Sequence, residues 1–456
     1  MDSSTNLDNP LQIETSVNPW VLNEPEPTTL LALYPGDQAP TLEAIAKTAS
    51  VYLTEPLNIV KQLEPDDPKI IFNAVVELPF LKQPAVIFSE PAQPLSPQEL
   101  DDAAANECKW VIGIETLFDT CDAHLNFVEL MRFLAKLITN CPAILDVNCG
   151  RWFPCEAIEK QFFTQIDEVI IDPPEDVLWL IHAIGQEETA TVWVHTHGLL
   201  RCGNPELEML QVPIDQVTQS CELINTIAGR LLEERPPEPG CDMQIGPHMN
   251  VTLQPWQKIA PLLAENIPGC MTDRIDEPDN PHIGLRAVIC SDKSQECNTY
   301  PVDVIEKMSR DDAVLFPAIR VADRLADLAR ATWPLLVHEF NTLPKQLLRT
   351  DIHPMTSDDQ QAVCFVIKAS LSLSYESTEA PEHLWFVIHQ FEENRVLAQL
   401  MNDPVQKDIY SEGDTTWISR ETISDWSVIT PNASYGPSQL EELAAALSEL
   451  KQGIAI

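Results

Sequence analysis

Proline outnumbers glycine by 38 to 14 along this chain, so most of its turns must be built at fixed φ rather than positive φ. Proline continues neither a helix nor a central strand, and its positions therefore divide the sequence into elements. After an unpatterned stretch over 1–20, Thr28–Tyr34 reads as a strand ended by Pro35-Gly36, and Thr41 caps a helix that opens at Leu42. With apolar strands over Asn58–Leu63 and Lys69–Leu78, these form a small β-α-β-β unit, residues 21–80.

Residues 81–235 alternate between the two kinds of element. Ala85–Phe88, Trp110–Ile114, Ala143–Val147 and Thr191–Val194 read as buried strands. Ser96-Pro97-Gln98-Glu99 offers an N-cap, a first-turn proline and a capping-box glutamate. Leu125, Val128, Leu130, Met131, Leu134, Leu137 and Ile138 recur at helical spacing up to Asn140-Cys141-Pro142, and Gln216–Leu232 forms a further helix. Pro236–Gly240 reads as a linker into a connecting region, 236–310, with strands near Met249–Leu253 and Leu285–Cys290. A long helix is expected after Asp311-Asp312, with Leu315, Ile319, Ala322, Leu325, Leu328 and Ala329 on one face. Within 311–430, Cys364–Tyr375, His383–Phe391 and Val396–Leu400 look extended, and Gly413-Asp414 turns. The last stretch, 431–456, carries an amphipathic helix over Gln439–Leu450 that packs back or serves a dimer contact. The fold class expected is α/β (α+β): a multi-domain chain of mixed sheets with helices packed on them and a strand-rich C-terminal domain.

Charge narrows the partners. Seventy acidic residues against 28 Lys and Arg leave a net charge of −42, which opposes both sequence-independent nucleic-acid binding and attachment to an anionic membrane. A composition 44% hydrophobic and 21% charged is that of folded domains, not of an acidic disordered chain. The first residues lack the basic and apolar regions of a secretory signal, so a cytoplasmic location is expected. Twelve cysteines are scattered without a Cys-x-x-Cys pair, as expected of small buried thiols in a reducing compartment.

The sharpest local motif is Val194-His195-Thr196-His197-Gly198, followed by Arg201 and by Glu206 and Glu208. Alternate residues of a strand share a face, which would set His195 and His197 about 6–7 Å apart at the backbone. That spacing suits two ligands of one zinc, with Glu206, Glu208 or Asp146 as third ligand and general base. A His-x-His of this kind is similar to that of JAMM-type isopeptidases. Their motif continues with a serine and an aspartate, whereas here Glu208 stands at the aspartate position and no matching serine follows. The plainer reading has one histidine satisfied in the core and the other bridging strands. A third makes the region a ligand site without metal, with Arg201 as its anion contact. A second cluster joins Glu382, His383 and Trp385 to Asp425 and Trp426, two acids, a histidine and two indoles that suit a small polar pocket. Asp276–Asn280 lacks calcium-loop spacing and reads as a solvated turn, and no phosphate-cradling glycine loop or nucleophile elbow occurs.

The stretch His195–Leu199, Arg201, Gly203 and Pro205–Glu208 resembles the signature of a bacterial family known only as a domain of unknown function. Residues 311–430 look like a YegJ-like domain of unknown function. The resemblance is carried by Ile367-Lys368, Glu382-His383-x-Trp385, Asn402-Asp403-Pro404, Gly413-Asp414 and Ile423-x-Asp425-Trp426. It implies no activity, and it suggests a bacterial, immunity-like setting. Two functions stay open. The first is a cytoplasmic, non-enzymatic module without cofactor that binds a basic protein. The alternative is a zinc-assisted hydrolase built on His195 and His197.

Overall fold

In a computed structural model, the described residues are 20, 22, 24–65, 67–93, 100, 102–163, 165–166, 169–170, 173–185, 190–274, 280–291, 299–309, 315–316, 318–350, 362–371, 382–404 and 410–454. The expected loose start, the Ser96–Glu99 cap, most of Asp276–Asn280, Asp311-Asp312 and the end of the Cys364–Tyr375 strand lie outside them.

Three sheets organise the described chain. The first contains β1 (Thr28–Tyr34), β2 (Asn58–Leu63), β3 (Phe72–Glu77), β4 (Ala85–Pro91), β5 (Trp110–Thr116), β6 (Ala143–Asp146) and β7 (Arg151–Pro154), in the order β2-β3-β4-β5-β1-β6-β7. Every pairing in it is antiparallel, and β1 lies between β5 and β6. The expected boundary at residue 80 therefore falls inside one sheet. Thr41 does cap the helix Leu42–Leu53, its side chain accepting from the Ala44 N–H. The amphipathic helix Ala123–Leu137 buries Phe127, Leu130, Met131, Phe133 and Leu134 against this sheet's core.

After a short ribbon of β8 (Gln165–Ile166) and β9 (Val169–Ile170), the second sheet runs β10-β11-β12-β15-β14-β13. Its strands are β10 (Leu180–Gly185), β11 (Thr191–His197), β12 (Glu206–Pro213), β13 (Asp242–Gly246), β14 (Met249–Pro255) and β15 (Arg286–Ser291). All pairings are antiparallel except β12 with β15. Residues 236–310, expected as a connecting region, thus supply half the strands of this sheet. One face, with Val194, Leu207, Met209, Ala287 and Ile289, joins the helix Val217–Leu231 in a core continuous with that of the first sheet. The opposite face carries Trp193, Leu210 and Val288 and is covered by the helical turn at Trp256–Ile259.

The third sheet has its own core. Strands β17 (Val363–Leu371), β18 (Glu382–Glu392), β19 (Arg395–Leu400), β20 (Thr415–Ser419), β21 (Ile423–Ile429) and β22 (Ser434–Tyr435) run β20-β19-β18-β17-β21-β22, and β16 (Leu348–Arg349) pairs parallel to β17. The long helix expected before it is two helices, Ile319–Ala331 and Trp333–Thr342. Pro334 lacks the N–H that would bond back to residue 330, so the first helix ends and a second opens. The C-terminal helix Leu440–Ile454 packs back, placing Leu443 and Leu447 in this core. Among the described residues the cysteines are free thiols, and no helix is long and apolar enough to cross a membrane.

Candidate metal centre

Strand β11 holds His195 and His197 on the face that carries Trp193, opposite the large core. A hairpin brings β10 alongside, and its register sets His182 directly across from His195. The ring centroids lie 5.7 Å apart for His182–His195, 5.0 Å for His182–His197 and 5.0 Å for His195–His197. One ligand nitrogen from each of the three falls within 4.8 Å of the others. Nitrogens around a tetrahedral zinc at about 2.0–2.1 Å stand roughly 3.3 Å apart. The rings therefore need to close by about 1.5 Å at most, within the reach of side-chain rotation. A fourth imidazole, His282, lies 4.9 Å from His195 and 5.5 Å from His197 between centroids. Four of the ten histidines of the chain, from three separate segments, thus meet at one place.

His195 is the centre of the cluster. It is fully buried, at 0% exposure, and neither of its ring nitrogens has a hydrogen-bond partner. A buried polar group left unbonded costs about 1–3 kcal/mol, and native chains avoid it unless something completes the site. Burial first, and then the charge of Arg286, hold the imidazoles neutral: His197 is pushed down to about 3 and His282 to about 4, with His182 also lowered and His195 far below its ordinary value. Neutral imidazole is the form that binds a metal.

The carboxylates expected to complete the set are engaged elsewhere. Glu208 faces His195 in register, yet its Oε2 accepts from Trp193 Nε1 at 3.1 Å, and Arg274 Nη2 donates to both of its oxygens at 2.9 Å. Glu206 ties down the turn after β11. It accepts from the Thr196 hydroxyl at 2.6 Å and from the Gly198 and Leu200 N–H groups at 2.7 and 3.3 Å. That turn needs glycine, because Gly198 has φ +117° and a Cβ there would lie 2.4 Å from the Leu178 carbonyl oxygen. Asp146 is held by Arg201, with Nη1–Oδ1 at 2.9 Å and Nη2–Oδ2 at 2.7 Å, both side chains at 0% exposure. Arg201 also bonds the Leu178 carbonyl from Nε at 3.1 Å and lies over the Phe127 ring. The expected anion contact is thus a buried clamp between the first and second sheets. The histidine of the cluster missed by sequence is His182, one polar residue in the run Leu180–Ile184. Reading that run as a strand paired with β11 would have found it.

The second expected cluster divides between two faces of the third sheet. His383, Trp385 and Asp425 gather around Lys368, whose register partners are Trp385 and Asp425 and whose Nζ lies 5.9 Å from the Trp385 centroid. His383 Nδ1 meets Ser424 Oγ at 2.8 Å. Trp426 turns the other way, fully buried in the core, its Nε1 donating to Thr332 Oγ1 at 2.8 Å. Glu382, adjacent to His383, alternates to the opposite face. Burial raises Asp425 to about 6, against the lowering by its backbone bond from Trp426 and by Lys368. The motif residues Asp403, Gly413 and Asp414 close a loop: the Glu412 N–H bonds Asp403 Oδ1, and the Leu400 N–H bonds the Asp414 carbonyl.

Two comparisons with protein families bear on these regions. Residues 181–289 match a model described as protein of unknown function (DUF4026) C-terminal, a segment that contains all four clustered histidines and Arg286. Residues 354–453 match a model described as uncharacterized protein conserved in bacteria (DUF2314), and that span takes in the C-terminal helix. No curated protein and no solved structure matches the chain. Each matched segment spans less than a quarter of the sequence, and in them the chain is similar to two domains of unknown function, the second conserved in bacteria.

Proposed function

We propose that this protein binds a zinc-class divalent ion through His182, His195 and His197 and is a metal-assisted hydrolase. The observation that carries the reading is the fully buried His195, with two unpartnered nitrogens in the middle of a cluster of imidazoles. His182, His195 and His197 would hold the ion, and the ion would supply a water activated for attack near neutral pH. His282, 4.9 Å from His195 between ring centroids and kept neutral at pH 7 by burial and by Arg286, would accept a hydrogen bond from the water or the substrate.

The test is metal content by mass spectrometry of protein purified without a histidine tag, beside His195→Gln with His197→Ala. The expected result is about one zinc per chain, lost in the double variant, with hydrolysis of a chromogenic ester or phosphate panel by the loaded protein alone. Equal metal in both proteins sinks the site; zinc bound without hydrolysis sinks the hydrolase half. The second reading, a non-enzymatic module for a basic protein partner, is supported by the net charge of −42. Affinity for such a partner that stayed flat between low and high salt would rule it out.

A further inference from the structure

Three arginines are buried around the second sheet, and one differs from the others. Arg201 and Arg274 each hold a carboxylate through two hydrogen bonds. Arg286, 1% exposed at the start of β15, holds none: among the described residues no carboxylate oxygen lies within 4.0 Å of it. Its Nη1 donates to the Thr196 carbonyl at 3.4 Å, its Nη2 to the Pro281 carbonyl at 2.8 Å, and its Nε has no partner. Thr196 lies between His195 and His197, and Pro281 precedes His282. The guanidinium is thus anchored to two of the three segments that carry the imidazoles, with N–H donors to spare.

The charges of the neighbourhood point the same way. Arg274 and Arg286 are balanced by Glu206 and Glu208, all four buried, and the half-buried Asp273 near His282 adds one further acid, too few to offset a divalent ion. A divalent ion adds two positive charges in a region shielded from water, where an unbalanced charge is costly. What completes such a site is an anion that touches both the ion and the free guanidinium edge.

We propose that the centre takes an oxyanion, a phosphate or carboxylate group bound jointly by the metal's open position and Arg286; this rests on the metal reading above. Arginine's planar fork suits both groups. The substrate or product of the site carries such a group next to the bond that is cleaved.

The experiment loads the full chain with Co2+, whose visible spectrum reports coordination, and titrates inorganic phosphate and, separately, acetate at constant ionic strength. Wild type is compared with Arg286→Met and Arg286→Lys, and cobalt uptake is measured first in each. The expected result is saturable spectral change in wild type, weakened about tenfold or more in Arg286→Met and by less in Arg286→Lys. A response to phosphate alone identifies the phosphate source, and a response to acetate alone the carboxylate source. Cobalt bound with a spectrum that neither anion moves overturns the oxyanion site and leaves the metal reading standing. An equal response in wild type and Arg286→Met overturns the role of Arg286. Failure to take up cobalt overturns both. If Arg286→Met does not fold, the wild-type titration and the Arg286→Lys comparison decide the matter.

Discussion

Replacing Arg201 by methionine tests the reassignment of that residue from ligand contact to inter-sheet clamp. The change removes a guanidinium at 0% exposure and leaves Asp146, also at 0%, without its two charge-assisted bonds. The bond to the Leu178 carbonyl and the contact with the Phe127 ring go with it. Breaking one side of a buried pair costs about 3–5 kcal/mol, mostly because the remaining charge stays buried and unpaired. At about 2–4 °C per kcal/mol for bodies of this size, the melting temperature should fall by roughly 6–20 °C. Removing both charges, as in Asp146→Leu with Arg201→Met, should recover most of the loss, because an apolar replacement of a whole pair is close to neutral. Thermal unfolding of the two singles and the double by circular dichroism gives the cycle. A loss below about 1 kcal/mol in Arg201→Met, or single effects that simply add in the double, would refute the clamp.

Three further changes probe other parts of the account. Asp425 has a folded pKa raised to about 6, so the folded state holds its proton more tightly than the unfolded state does, and stability falls as pH rises from about 4 to about 6. Since the group is half-buried, Asp425→Asn should stabilise by only about 1 kcal/mol at pH 7.5 and by nothing at pH 4; destabilisation at pH 7.5 in urea unfolding contradicts this. Gly198→Ala should cost roughly 2–3 kcal/mol, from the positive φ and the Leu178 carbonyl; an unchanged melting temperature means the turn is not held as described. Trp426→Phe should cost about 1–3 kcal/mol through the lost bond to Thr332, and if Trp426 walls a ligand pocket instead, stability will hardly move.

The local elements were legible because they obey local rules. Thr41 caps its helix, the Leu125–Ile138 repeat is a helix, and Thr28–Tyr34, Ala85–Phe88 and Trp110–Ile114 are strands, since capping and apolar spacing are written in neighbouring residues. Sheet order was not legible. That β1 sits between β5 and β6, or that β15 returns parallel to β12 across the Pro236–Gly240 turn, depends on contacts between residues far apart in sequence. The histidine cluster was half legible for the same reason. His195 and His197 share a face by the two-residue period of one strand, but His182 joins them through cross-strand register and His282 through a segment some 85 residues downstream. Glu206, Glu208, Asp146 and Arg201 have the residue types of a zinc site and its anion contact. Their side chains are committed to Gly198, Arg274 and one another, which only the packed structure reveals.

X-ray absorption at the zinc K-edge of the zinc-loaded, tag-free protein addresses the three-histidine centre most directly. The account predicts one zinc with three imidazole nitrogens at about 2.0–2.1 Å and one further light ligand. Sulfur scattering at about 2.3 Å, a six-oxygen shell, or no zinc retained at all would contradict it.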